Sequence, residues 1–142
     1  RECHDYRMRD WVLISLSRVL RFVCVVRRGQ ALHNVCRANV WTPDNVLIDE
    51  GVLQCSVARS TWASGVFSEA DLLVVSPLRR ALHTAVALNG GAVADHRFLL
   101  TPLCTERWSA TCDEGSGKTA LLSQMPWLRS WRGFDELGEE WW

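Results

Sequence analysis

The sequence predicts an α/β domain, a three-layer arrangement built on a largely parallel sheet. Two short apolar runs, Phe22-Val23-Cys24-Val25-Val26 and Leu72-Leu73-Val74-Val75, each end at arginines and lead into segments of helical periodicity. Strand-like and helix-like patterns alternate along the chain, which favours parallel pairing through helical crossovers. The 142 residues, 48% of them hydrophobic and 23% charged, suffice for one hydrophobic core and hardly for two.

Residues 1–19 read as an unmatched extension or a helix, and residues 20–142 as the domain proper. The apolar stretch 21–26 has the composition of a strand buried on both faces. Gly29 permits a tight turn into a short helix near 31–38, and residues 39–44 read as loop. A helix is expected over 46–63, with Val46, Leu47, Val52, Leu53 and Val57 on a broad apolar face. Gly51 within it costs about 1 kcal/mol against alanine, which marks a close packing contact. Residues 71–75 are the second buried strand. Ser76 then offers an N-cap and Pro77 a first helical residue. Leu78, Ala81, Leu82, Ala85 and Leu88 recur at helical spacing until Asn89-Gly90-Gly91 stops the helix. A short third strand is expected over 96–100, followed by loop, one helix near 116–124 and a tryptophan-rich tail.

The 16 basic and 16 acidic residues cancel, so no overall basic field draws the chain to nucleic acid. The charges are unevenly spread. Eight arginines and three acids fall in residues 1–37, whereas Asp135, Glu136, Glu139 and Glu140 make the end acidic. The six cysteines contain no C-x-x-C pair and no zinc-like spacing, which argues against a metal site and for a reducing, cytoplasmic setting. Cys24 and Cys55 read as small buried hydrophobes. The apolar run from Trp11 is broken by Arg18 and Arg21 and is too short to span a bilayer. Neither a membrane, a nucleic acid nor a cofactor is therefore expected as partner.

Both strand ends deliver arginines into a loop and then a helix: Arg27 and Arg28 after the first, Arg79 and Arg80 after the second. In open α/β sheets ligands bind beyond the carboxyl ends of the strands. Helix N-termini favour anions there, and guanidinium groups match phosphate oxygens bidentately. A phosphate-like ligand is one reading of these residues; pairing of the arginines with surface carboxylates is the other.

Several segments carry a family resemblance. Arg27-Arg28-Gly29 followed by Asn34 resembles the R-H-G-x-x-x-x-N signature of the histidine phosphatase superfamily, the phosphoglycerate mutase-like enzymes. Asp44, Leu47, Gly51 and Gln54 are similar to its D-x-x-L-T-x-x-G-x-x-Q, with Ile48 at the threonine. Ser76-Pro77-Leu78-Arg79-Arg80-Ala81 with Thr84-Ala85 resembles S-x-L-x-R-A-x-x-T-A, and Leu103 with Glu106 resembles L-x-E, here one residue longer in spacing. Cys112 to Ser116 and Phe134 to Leu137 resemble looser segments of some relatives.

The resemblance implies a phosphoryl-transfer site. Arg27, Asn34 and Arg80 would hold the phosphoryl oxygens, Glu106 would protonate the leaving group, and position 28 would carry the nucleophile. Gly29 and His33 would line the rim. The chain departs from the pattern at the chemistry itself. Arg28 stands where the nucleophilic histidine belongs, and a guanidinium with pKa above ~12 has no lone pair to attack phosphorus. No histidine follows His96, so the second catalytic histidine of the pattern has no candidate here, and the final strand of the domain is expected to be missing with it. His4, His33, His83 and His96 are each expected to be structural rather than catalytic.

The function expected is thus recognition of phosphate, a phosphorylated small molecule or a phosphoprotein without turnover. An active phosphomonoesterase and a degenerate fragment are the alternatives. Arg28 is expected either to strengthen anion binding or to fill the pocket. Gly115-Ser116-Gly117-Lys118-Thr119 resembles a nucleotide-binding loop, but position 112 is cysteine rather than glycine and no buried strand precedes it. Trp127 and Trp131 are spaced to pair on a helix face, and the aromatics of the tail are expected to be exposed.

Overall fold

A computed structural model describes residues 9–16 and 19–142, with side chains from Val23 onward. Strand β1 (Arg9–Leu16) occupies part of the region expected as extension or helix, and it pairs antiparallel with β2 (Val19–Val26), Arg9 opposite Val26. The rest of that expectation, including Cys3 and His4, lies outside the described residues. Strand β2 is not the fully buried strand its composition suggested: Val23 and Val25 are exposed and Cys24 is half-buried. Pairing with the run just before it in sequence closes a much shorter loop than a crossover does, and so loses less chain entropy.

Parallel pairing joins β3 (Leu73–Val75) to β4 (Phe98–Leu100), Leu73 opposite Phe98 and Val75 opposite Leu100. Arg132 bridges Leu99 in parallel on the far edge of β4. The chain is thus a mixture of helix and strand with a small parallel sheet, and among the described residues the longest ladder is the antiparallel one. Only one face of β3 is covered, since Leu73 and Val75 are buried while Val74 is exposed.

The short helix α1 (Leu32–Val35) and a 3-10 turn (Arg37–Trp41) follow β2. One long helical segment then runs from α2 (Asp49–Ala58) through a π-helical turn (Arg59–Ala63) into α3 (Ser64–Glu69). Its buried face differs from the expected one. Gly51, Cys55 and Ala58 point inward, and Val52, Leu53 and Val57 are exposed. The expected contact at Gly51 explains the rotation: a Cβ there would lie 2.1 Å from the Gln30 carbonyl oxygen, so only a face of small residues can approach this closely. Gly29 lies on the other side of the same contact, where a Cβ would meet the Gly51 carbonyl oxygen at 2.6 Å. Close approach, not a left-handed turn, is what requires glycine at position 29.

Helix α4 (Arg79–Leu88) begins two residues after the expected start. The Ser76 hydroxyl accepts from the Leu78 amide at 3.3 Å and shares a hydrogen bond with Thr105, while Asp44 from a distant loop caps the Arg79 amide at 2.8 Å. Leu78, Leu82, Ala85 and Leu88 are buried as their spacing predicts. Gly90 and Gly91, at φ of 74° and 81°, end the helix in conformations that side chains disfavour.

Beyond β4 come short 3-10 turns, helix α5 (Lys118–Gln124) and the C-terminal segment. The aromatics expected to be exposed are largely packed. Trp131 stacks on Phe98 with centroids 4.0 Å apart and lies 5.1 Å from Trp127, while Phe134 and Leu137 are buried. Trp131 also donates its indole hydrogen to the Val93 carbonyl at 2.7 Å, so both its apolar body and its polar edge are satisfied. Trp142 remains partly exposed. One core cluster joins α2, α3, α4, both strands of the parallel pair and this C-terminal segment.

Candidate functional site

The Gly29–Gly51 contact sets the loop after β2 against α2, and this brings the end of β2 to α4. The Gly29 amide donates to Thr84 Oγ1 at 3.1 Å, and Thr84 donates in turn to the Arg80 carbonyl at 2.7 Å. The Gln30 amide donates to Gln54 Oε1 at 2.9 Å. Arg28 and Arg80, far apart in sequence, therefore project into one region, with His33 and Asn34 from α1 beside them.

Arg28 is half-buried. Its Nη1 donates to the Gly29 carbonyl at 3.2 Å and to Asn34 Oδ1, and its Nη2 lies 2.9 Å from His33 Nε2. All three partners are neutral, and no carboxylate pairs with Arg28 among the described residues. Burial lowers its pKa, and Arg80 and Arg27 lower it further against the pull of Glu106. Arg27, directly after β2, is exposed.

Arg80 is 1% exposed. Its Nη1 donates to the Cys112 carbonyl at 2.7 Å, and its Nη2 lies 3.0 Å from Asp113 Oδ1 and 3.6 Å from Glu106 Oε2. Burial pushes the Asp113 carboxyl up, but hydrogen bonds from Ser109 and the Ala110 amide, together with Arg80, outweigh it and hold the group below its ordinary range. Glu106 lies beside Arg80 with a side chain 64% exposed, so it is free to face a ligand. The arrangement thus sets the guanidinium groups of Arg28 and Arg80 near the carboxylates of Glu106 and Asp113.

Arg79, the neighbour of Arg80, is engaged elsewhere. Its Nε and Nη2 donate to the Asp44 carbonyl at 3.0 and 2.6 Å, and its Nε lies 3.2 Å from Asp44 Oδ2. Asp44 is fully buried at φ 44°, and it also accepts from the Ser116 amide at 3.1 Å. It ties its own loop and the segment at Ser116 to the start of α4. Its role, and that of Asp113 as the partner of Arg80, were not read from the sequence; the acids inside the matched motif segments were their one signal.

His33 is the imidazole nearest the cluster, and the lone pair of its Nε2 is engaged by Arg28. Burial, then Arg28 and Arg80, lower the His33 pKa. His83 is half-buried on α4 and His96 is exposed. Among the described residues no group of three His, Cys, Asp or Glu side chains could hold a metal ion. The segment resembling a nucleotide-binding loop is filled by the protein itself. The Thr119 amide donates to Glu139 at 3.1 Å, and Lys118 Nζ donates to the Asp135 carbonyl at 2.8 Å above the Phe134 ring.

Two surface clefts lie elsewhere. One of about 380 Å³ is lined by Ser56, Arg59, Ser60, Ser64, Ala87 and Gly90, and one of about 560 Å³ runs between β4 and residues 131–137. No helix among the described residues is long and apolar enough to cross a membrane. No family model, curated protein or solved structure matches the chain.

Proposed function

We propose that this domain binds a phosphate-like oxyanion, as inorganic phosphate or as the phosphoryl group of a phosphomonoester, at the Arg28–Arg80 cluster and does not turn it over. The observation that carries the reading is the state of Arg28. A half-buried cation hydrogen-bonded only to neutral acceptors, beside a second buried guanidinium, leaves positive charge that an anion would satisfy. The resemblance to the histidine phosphatase superfamily supports the same ligand: Arg28, Asn34, Arg80 and Glu106 are neighbours in space as well as members of its motifs. Arg28 in place of the nucleophile supports binding without hydrolysis, because a protonated guanidinium has no free lone pair to attack phosphorus.

The test is titration of the full chain with inorganic phosphate, followed by amide chemical shifts and by melting temperature. Binding should perturb residues 28–34 and the start of α4, raise the melting temperature with ligand concentration, and be lost in Arg28→Gln. Incubation with a radiolabelled phosphomonoester should give neither a phosphoenzyme nor free phosphate. An unchanged spectrum at tens of millimolar phosphate, or equal binding by Arg28→Gln, would sink the proposal.

A further inference from the structure

We infer that His33 is a pH-dependent latch on the Arg28 guanidinium: the neutral ring engages Arg28 Nη2, and the protonated ring frees that donor for an anion. The inference rests on the oxyanion reading of the site and adds its regulation.

The geometry constrains the protons. A guanidinium carries only donors, so a 2.9 Å contact between Arg28 Nη2 and His33 Nε2 requires the lone pair at Nε2. The hydrogen of the neutral ring then sits on Nδ1. That atom is buried and has no hydrogen-bond partner in the protein. His33 is therefore held in the tautomer that serves Arg28, at the expense of its own donor. Protonation places a hydrogen on Nε2 as well. The attraction becomes a contact between two donors and two cations, and it cannot persist at 2.9 Å.

The groups facing His33 set when this happens. Arg28 comes from the end of β2 and Arg80 from α4, while Glu106 and Asp113 come from the loops after β4. Burial and the two arginines favour the neutral ring; the two acids oppose them. The latch is thus closed at neutral pH in the empty site. An anion bound between the arginines cancels the charge that keeps the ring neutral. Proton and anion should consequently bind cooperatively, each raising affinity for the other by the same factor.

Sulfate is the suitable probe, since its charge is constant between about pH 5 and about pH 8, whereas phosphate itself titrates there. In the full chain, sulfate affinity should rise about tenfold from pH 8 to pH 5, and saturation should raise the His33 pKa, read from its ring protons, by about one unit. His33→Ala removes the latch and should bind sulfate several-fold more tightly than wild type at the higher pH. His33→Gln, which offers Arg28 a permanent neutral acceptor, should bind weakly at both. If His33→Ala matches wild type at the higher pH and lacks only the gain at the lower, the ring acts as a charge and the latch is refuted. Equal sulfate affinity at both pH values in wild type refutes the latch while leaving the site. Failure to bind sulfate at any pH refutes the site. The latch is then decided without ligand: the Arg28 Nε–H resonance must titrate with the His33 ring and stop titrating in His33→Ala, and an Arg28 signal independent of pH overturns it.

Discussion

Replacing Gly51 with alanine sets a methyl group 2.1 Å from the Gln30 carbonyl oxygen and 2.8 Å from its amide nitrogen. Both are backbone atoms and both are tied: the oxygen accepts from the Ile48 amide at 3.1 Å, and the nitrogen donates to Gln54 at 2.9 Å. No side-chain rotation relieves the clash, so helix and loop must separate. Alanine gains about 1 kcal/mol over glycine in helix preference. Against this stand roughly 1–3 kcal/mol of overpacking and about 1 kcal/mol for each of the two stretched hydrogen bonds. The net loss should be about 2–4 kcal/mol, or a melting temperature lower by about 6–12 °C for a chain of this size. Urea and thermal denaturation followed by circular dichroism measure it. A loss below about 0.5 kcal/mol, the scatter of neutral surface substitutions, would show that the loop is not held against α2 and would refute the reasoning.

Thr84→Val keeps the side-chain shape but removes the acceptor of the Gly29 amide, and should cost about 1–3 kcal/mol in urea denaturation with little change in secondary structure. Trp131→Ala removes the ring stacked on Phe98 and the bond to Val93, and should cost about 3–5 kcal/mol with loss of near-ultraviolet dichroism. The Asp95 carboxyl is held at about 2 chiefly by the side-chain hydrogen bonds from Arg97. A depressed carboxyl stabilises the fold above its unfolded pKa of about 3.9 and loses that contribution as pH falls through the folded value. The melting temperature should accordingly drop between about pH 4 and about pH 2, and the drop should be shallower in Asp95→Asn.

Local signals in the sequence were legible where the physics is local. The periodicity of Leu78, Leu82, Ala85 and Leu88 and the glycine pair after Asn89 define α4 almost as built. The glycine inside α2 marks a real contact, and Trp127 does pair with Trp131. Arg28, Asn34, Arg80 and Glu106 of the motif segments lie near one another, whereas Arg27 is exposed. Decisions made by distant residues were not legible. Asp44 moves the start of α4 by capping it from another loop. The rotation of α2 is set by Gln30, which outweighs three exposed valines and leucines. The partner of β2 was hidden because an apolar run reads the same whether a parallel crossover or an antiparallel neighbour covers it. Whether Arg28 strengthens or fills the pocket depended on where Asn34 and His33 come to lie.

The π-helical turn at Arg59–Ala63 leaves its trace in the spacing of inward residues, which run 51, 55 and 58, then skip to 63 and 67. A regular helix advances about 100° per residue, so one surplus residue in that turn is what returns Phe67 to the core. Single-residue deletions should consequently be asymmetric along this helix. Removing Ser60 or Thr61 would let the turn relax to α-helical geometry with Phe67 still inward. The same deletion at Val52 or Leu53 would swing the Gly51 contact and the core-facing residues out of phase with each other. Chains of different length across this one turn can therefore share the same interior, so it is a natural place for an insertion or deletion to have entered the lineage unnoticed by the fold.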